Sequence, residues 1–228
     1  NILVDNFLLT SWNPYQLWLI RRTSAVLVSF KESISPYLTI QNSLFQDTSL
    51  PSAIVFLDAS EALTLKNLTL LSLYLRANAF YCNDCNTVEI RNVSIRNIAI
   101  PFYMAAIFNL NNAQEAIISD IKVSNLTDVT STSSTYVHII KATFCENLTI
   151  ENMFMNDISF VGQYPALLQI ENSNVEIRNI TAINVNYFRD FFTKGRGVLC
   201  FIQANAQLSS IYILYKARTF EILNSQYN

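Results

Sequence analysis

The stretch V-E-I-R-N-V-S-I-R-N-I at residues 88–98 decides the reading of this chain, because its pattern returns along the whole length. Centred on its first asparagine, Asn92, it reappears as I-L-V-D-N-F-L-L around Asn6, L-T-I-Q-N-S-L-F around Asn42 and L-T-L-K-N-L-T-L around Asn67. It continues as A-I-I-S-D-I-K-V around Asp120, L-T-I-E-N-M-F-M around Asn152 and V-E-I-R-N-I-T-A around Asn179, with a degenerate A-Q-L-S-S-I-Y-I around Ser210. Successive anchors lie 36, 25, 25, 28, 32, 27 and 31 residues apart, the range of one solenoid coil carrying one loop of variable length. Within a unit, apolar and polar residues alternate (Val88, Ile90, then Val93, Ile95), so each arm reads as a strand with one buried face. The polar anchor interrupts the alternation. Asn suits a tight bend there, because it tolerates the left-handed backbone and its amide bonds neighbouring backbone groups. Stacked coil on coil, Asn6, Asn42, Asn67, Asn92, Asp120, Asn152 and Asn179 are expected to point inward as a ladder, each amide both donor and acceptor. If that ladder is buried, Asn92→Leu costs a few kcal/mol.

A second repeated strand precedes each anchor: A-V-L-V-S-F at Ala25, A-I-V-F-L at Ala53, A-F-Y-C at Ala79 and A-A-I-F-N-L at Ala105, then V-H-I-I-K at Val137, A-L-L-Q-I at Ala166 and V-L-C-F-I at Val198. The expected fold is therefore all-β, a solenoid of about eight coils with three strands per coil. This order, with an Asn-bearing bend between the second and third strands, resembles the right-handed parallel β-helix of the pectin lyase-like superfamily, over essentially all 228 residues. The resemblance implies a fold and is silent on activity. With only 3 Gly in the chain, Asn and Asp must take the positions that need unusual backbone angles. The Asn- and Ile-rich, Gly-poor composition also looks like that of the large surface β-helix repeat proteins of ciliated protists.

Residues 1–228 read as a single domain, since 51% hydrophobic and 14% charged residues suffice for one long core. No apolar run approaches the roughly 18 residues of a membrane helix. A net charge of -2 without a basic run argues against nucleic acid as partner. The chain opens directly on a repeat strand, and T-F-E-I-L near its other end reads as the start of another coil. No polar cap is legible at either end, so the expectation is a segment of a longer solenoid, continued along the chain or by end-to-end self-association.

The segment S-W-N-P-Y-Q-L-W-L-I-R-R carries both tryptophans, Trp12 and Trp18, and reads as a flanking loop or an aromatic ligand platform. The late loop from Asn186 combines Tyr187, Phe188, Phe191 and Phe192 with Arg189, Lys194 and Arg196. It suits a partner interface, since aromatics and Arg dominate binding hot spots, or a flap over the core. Of the four cysteines, Cys82 and Cys85 form C-N-D-C, open to a local disulfide. A metal site is not expected, because no second C-x-x-C exists and the one histidine, His138, sits in a strand. Cys145 and Cys200 read as small buried apolar residues, and Cys85 and Cys145, two coils apart, are too distant to bond.

Five N-glycosylation sequons occur, at Asn67, Asn92, Asn125, Asn147 and Asn179. If ladder residues point inward, Asn67, Asn92 and Asn179 are unavailable, leaving Asn147, in a turn before its strand, and Asn125, at the edge of a polar loop. Catalysis is not expected. Glycoside hydrolysis needs paired carboxylates, and lyase chemistry a base beside a Ca²⁺-binding acidic cluster. Asp58 and Asp84 on neighbouring coils make the best pair, but Asn111 and Thr143 follow them, and the G-H-G and R-I-K patterns that a likeness to polygalacturonases implies are absent. The expected function is a non-catalytic structural or adhesive extracellular glycoprotein without cofactor; the alternative is a carbohydrate-binding or polysaccharide-degrading β-helix.

Overall fold

The computed structural model describes residues 2–10, 28–30, 37–50, 53–75, 77–100, 104–128, 136–160, 166–187, 197–215 and 218–227. Every regular element in them is a strand: β1 (Ile2–Asp5), β2 (Leu8–Thr10), β3 (Val28–Phe30), β4 (Tyr37–Leu50), β5 (Val55–Leu75), β6 (Phe80–Ile100) and β7 (Met104–Asp128), followed by β8 (Tyr136–Thr143), β9 (Asn147–Phe160), β10 (Ala166–Glu171), β11 (Asn174–Tyr187), β12 (Gly197–Ile202), β13 (Asn205–Tyr215) and β14 (Arg218–Tyr227). Among the described residues no helix is long and apolar enough to cross a membrane. The strands stack in parallel, β1-β4-β5-β6-β7-β9-β11-β13 along one path and β7-β8-β10-β12 along another. Each residue lies against its repeat equivalent one coil on. Val4, Ile40, Leu65, Ile90, Ile118, Ile150, Ile177 and Leu208 form one such column through the interior.

The long strands turn without ceasing to pair, because each bend is a single residue in the left-handed region. These bends fall into three columns. The first holds Ala59, Asp84, Asn112, Phe144, Asn172 and Gln203; the second is the anchor column, Asn6 through Ser210; the third holds Asp47, Ser72, Asn97, Asn125, Asp157 and Asn184. A coil is thus a triangle of three strands. The circuit of three corners is completed five times among the described residues, beginning at Ala59, Asn67 and Ser72 and ending at Asn172, Asn179 and Asn184. Among the described residues the solenoid has about 5 turns, fewer than the eight that the anchors suggest, because the circuits of Asn6, Asn42 and Ser210 are not complete within those residues.

Second and third corners are 5 residues apart wherever both are described, as at Asn92 and Asn97 or Asn179 and Asn184. First and second corners are 8 or 7 apart, as at Ala59 and Asn67 or Asn172 and Asn179. The third side absorbs nearly all the variation, from 12 residues separating Ser72 and Asp84 to 19 separating Asn125 and Phe144. Insertions are tolerated there because the other two sides keep the coil in register.

The ladder expected inside the coil lies outside it. Around Asn67 the burial runs Leu65 buried, Lys66 half-buried, Asn67 exposed, Leu68 buried, and Asn6, Asn42, Asn92, Asp120, Asn152 and Asn179 are exposed likewise. Strict alternation would turn Asn67 inward with Leu65. A left-handed residue instead swings the strand around a corner, so that both apolar neighbours point in and the corner side chain points out. The amides still bond along the axis: Asn42 Nδ2 donates to Asp5 Oδ1 at 2.9 Å, Asn67 to Asn42 at 2.9 Å and Asn92 to Asn67 at 2.8 Å. Asn152 donates to Asp120 at 3.3 Å and Asn179 to Asn152 at 3.1 Å. At the first coil Asn6 holds the corner while its neighbour Asp5 takes the ladder bond.

The core is continuous and almost wholly aliphatic, with an aromatic spine towards its first coils. There Phe45 meets Phe80 edge-on at 6.4 Å, and Phe80 stacks on Phe108 at 5.6 Å. The chain then ends its parallel course. T-F-E-I-L, expected to open another coil, belongs to β14, which pairs antiparallel with β13 from Ala206 opposite Tyr227 to Tyr215 opposite Arg218.

Because the ladder is solvated, Asn92→Leu is expected to cost about 1–2 kcal/mol, the left-handed penalty of a Cβ-bearing residue without a local polar bond, and not the larger cost of a buried orphan amide. Asn92→Gly should be nearly neutral. Phe144 sits at φ 55 and is 55% exposed, so Phe144→Asn should stabilise by about 1 kcal/mol. Urea midpoints of the three variants check both signs.

Candidate functional site

Polar side chains converge most closely around the first corner of β5 and β6. Asn83 Nδ2 donates both to Asp58 Oδ1 at 2.6 Å and to Asp84 Oδ2 at 2.8 Å, so one amide joins the two carboxylates. Asn111 donates in turn to Asn83, and Asn112 to Asp84. The structure therefore brings Asp58 and Asp84 together, but in different columns. Asp58 aligns with Asn83, Asn111, Thr143 and Glu171, whereas Asp84 is the corner residue itself. Two residues earlier on the same outer face, Phe56 and Tyr81 stack with ring centroids 4.9 Å apart. Burial, reinforced by Asp58 and then Asp84, pushes the Tyr81 phenol above its ordinary value. The sequence reading did not single out Phe56, Tyr81 or Asn83; their signal was the shared position in successive first strands.

This cluster has the composition of a saccharide site but a different geometry. Acid and base carboxylates must leave room between them for a glycosidic oxygen or a water, and here the Asn83 amide occupies the space. In-register aromatic neighbours on parallel strands stack along the solenoid axis. Phe56 and Tyr81 therefore present each other with the faces that a sugar ring would need.

The five sequon asparagines are all exposed, so the expectation that Asn67, Asn92 and Asn179 face inward is corrected. In each sequon the middle residue is buried and the Ser or Thr is on the outer face; at Asn67, Asn92, Asn125 and Asn179 this follows because a corner is followed by one inward and one outward position. Asn125 is itself a third-corner residue, φ 54, whose amide donates to Asn97 Oδ1 at 3.0 Å. Asn147 differs from the others. It opens β9 opposite Glu115, off the corners, and its exposed amide takes part in none of the ladder bonds.

Cys82 and Cys85 are joined by a disulfide with Cα atoms 6.2 Å apart, stapling the first corner across Asn83 and Asp84. The residue after this corner is small and buried in each coil: Ser60, Cys85, Ala113, Cys145, Ser173 and Ala204. Ala113 separates Cys85 from Cys145. The Ser173 hydroxyl donates to Glu171 O at 2.7 Å and accepts from Cys145 N at 2.8 Å, which explains why a hydroxyl or thiol fits this bend. Cys145 is buried, and that burial pushes its thiol up. Cys200 is only half-buried, because it lies on the outer face of β12 opposite Gln169.

His138 lies in β8 as expected and is buried, in register with Ala106 and beside Ala166, whose small side chains make room for the ring. Its Nδ1 is 2.7 Å from Ala166 O. Burial lowers its pKa from 6.5 to about 4, with the Ala166 carbonyl and the Gln169 side chain opposing and Lys141 assisting. The late aromatic loop is a different case: Phe188, Arg189, Phe191, Phe192, Lys194 and Arg196 lie outside the described residues, as do the side chain of Tyr187 and the segment with Trp12 and Trp18.

Neither a protein-family model, nor a curated protein, nor a solved structure matches this chain.

The His138 geometry predicts an acid-sensitive fold. The unfolded chain takes up the imidazole proton first, so this contribution is complete above pH 6.5 and is lost as pH falls through about 4. Its size is on the order of 3 kcal/mol. Urea unfolding across that window should show the loss, and His138→Gln should flatten it.

Proposed function

We propose that this chain is a non-catalytic structural or adhesive segment of an extracellular or cell-surface glycoprotein, a rigid β-solenoid that associates end to end with neighbouring solenoid segments. One observation carries the reading: coil after coil repeats the same two constant sides and three corners, so the coils differ mainly in the third side. Such a molecule supplies length and stiffness. Its outer polar groups bond to one another along the axis, as in the amide ladders and the ion pairs of Lys66 with Glu89 and Arg178 with Glu151, rather than converging on an open pocket.

Several features support the finer parts of the reading. The Cys82–Cys85 disulfide suits an oxidising compartment. Asn147 and Asn125 are the proposed glycan acceptors. Asn147 leads, because carrying a sugar there disturbs no ladder bond. The parallel three-strand coil supports a place near the pectin lyase-like β-helices, and the Asn-rich corners with few glycines support a likeness to the surface β-helix proteins of ciliated protists. The late loop, with Tyr187, Phe188, Arg189, Phe191, Phe192 and Arg196, is the proposed lateral interface. No cofactor, metal, nucleic acid or membrane span enters this reading.

A second reading is favoured by a single feature, the convergence of Asp58, Asp84 and the Tyr81 phenol on one outer corner. It makes the chain a carbohydrate-binding or polysaccharide-degrading solenoid. Electron microscopy of native material, with intact glycopeptide mass spectrometry on the same sample, separates the two. Rods with coils about 4.8 Å apart, and sugar on Asn147 at higher occupancy than on Asn67, Asn92 or Asn179, are the expected result. Compact unglycosylated particles that bind an acidic polysaccharide, and lose it on Asp84→Asn, would replace the first reading with the second.

A further inference from the structure

One column on the outer face of the first strands holds, beyond Tyr81, residues outside the candidate site. From β5 to β12 it reads Phe56, Tyr81, Asn109, Lys141, Gln169 and Cys200, each in register with the next. Gln169 is 8% exposed and the others are half-buried. Cys200 is a free thiol, and the residue it faces one coil back is this buried carboxamide. At the strand spacing of about 4.8 Å, the thiol of one is within reach of the carboxamide carbon of the other. The carboxamide is held in place: Gln169 Nε2 donates to Glu171 Oε1 on the same strand, and His138 contacts the same side chain. Burial, and then the Glu171 carboxylate, push the Cys200 thiol up, so the sulfur keeps its proton beside a base able to take it. Cys145, the other free cysteine among the described residues, has no such neighbour, because it stands between Ala113 and Ser173.

We propose that Cys200 and Gln169 condense to an internal thioester, which makes this outer face a covalent attachment site for primary amines. Cys200 Sγ adds to Gln169 Cδ as Glu171 takes the thiol proton. The proton passes to the amide nitrogen that Glu171 already holds, the C–N bond breaks and ammonia leaves. An S–C bond replaces a C–N bond, and nothing is oxidised or reduced. Two circumstances favour the exchange. Well-oriented intramolecular groups behave as if at about 10⁵ M or more, and the ammonia is lost to dilute solution. The carbonyl comes from the most buried member of the column and is shielded from water, whereas the half-buried sulfur leaves an approach from the outer face. A primary amine attacking that carbonyl forms an amide on Gln169 and releases the Cys200 thiol. The bond stands on register and contacts; its use in attachment deepens the adhesive part of the proposed function and rests on that reading.

The test uses the full native chain, unreduced. Peptide mass spectrometry is expected to find the Cys200 and Gln169 peptides joined, at a mass one ammonia below their sum. Methylamine should open the bond, leaving a methylamide on Gln169 and making Cys200 available to iodoacetamide. Dansylcadaverine, a fluorescent primary amine, should label Gln169, and the label should fall to background in Cys200→Ser and in Gln169→Glu, with circular dichroism checking their fold. Lys141 is the internal competitor, in register with Gln169 on the side away from Cys200. Cys200 alkylated before methylamine, a mixed disulfide on Cys200, or an ammonia loss mapped to a Lys141–Gln169 amide that methylamine leaves intact would each overturn the thioester, and leave the proposed function to its own test by rods and glycans. A thioester that forms but takes no dansylcadaverine would overturn the attachment site.

Discussion

The left-handed corner is the constraint from which the rest of this structure follows. A coil that must keep parallel pairing through three turns cannot spend many residues on each. One residue with positive φ suffices, and it lets the side chains on both sides of the bend enter the core. For most L-residues that conformation costs about 1–2 kcal/mol, and Asn or Asp offsets part of it by bonding locally. With few glycines available, the chain fills most corners with Asn and Asp. Corners in one column then stack at the strand spacing, which puts each amide within reach of the next. The external ladders are thus a consequence of how the turns are made.

The same constraint organises the surface. Two sides of the triangle are bounded by corners at constant spacing, so their outer positions form straight columns of paired residues. Lys66, Glu89 and Arg91 fall together on one of these faces, as do Glu151, Glu176 and Arg178. Such half-exposed ion pairs stabilise little individually, but they leave the face with its charges matched. The third side is free to vary in length, and the segments that differ most between coils are concentrated there.

Among the described residues, side chains of different types converge rarely for the same reason. A solenoid places each residue type where its column requires it, and a reactive constellation needs different residue types to converge from different columns. Around Asp58, Asn83 and Asp84 such convergence occurs, yet the groups are consumed in holding the corner beside the Cys82–Cys85 staple. His138 shows the converse. It is buried in a column where its neighbours on both sides are alanines, so among the described residues it keeps polar contact only with the Ala166 carbonyl and the Gln169 side chain, and burial excludes its charge.

The strands, their inward residues and the second-corner column were legible in the sequence, because alternation and the recurring Asn are local signals that a periodic fold repeats eight times. The direction of the corner side chains was not. Alternation predicts Asn92 inward, and only the backbone angle at that one residue reverses it, exposing the three sequons, at Asn67, Asn92 and Asn179, that pattern alone placed inside. The other two corner columns were hidden because Ala59, Ser72, Phe144 and Gln203 occupy some of their positions, so no single residue type marks them. The number of complete coils and the reversal of β14 were also beyond the sequence. T-F-E-I-L has the composition of any strand of this chain, and parallel or antiparallel pairing is decided by which edge it meets when the preceding coils are already stacked.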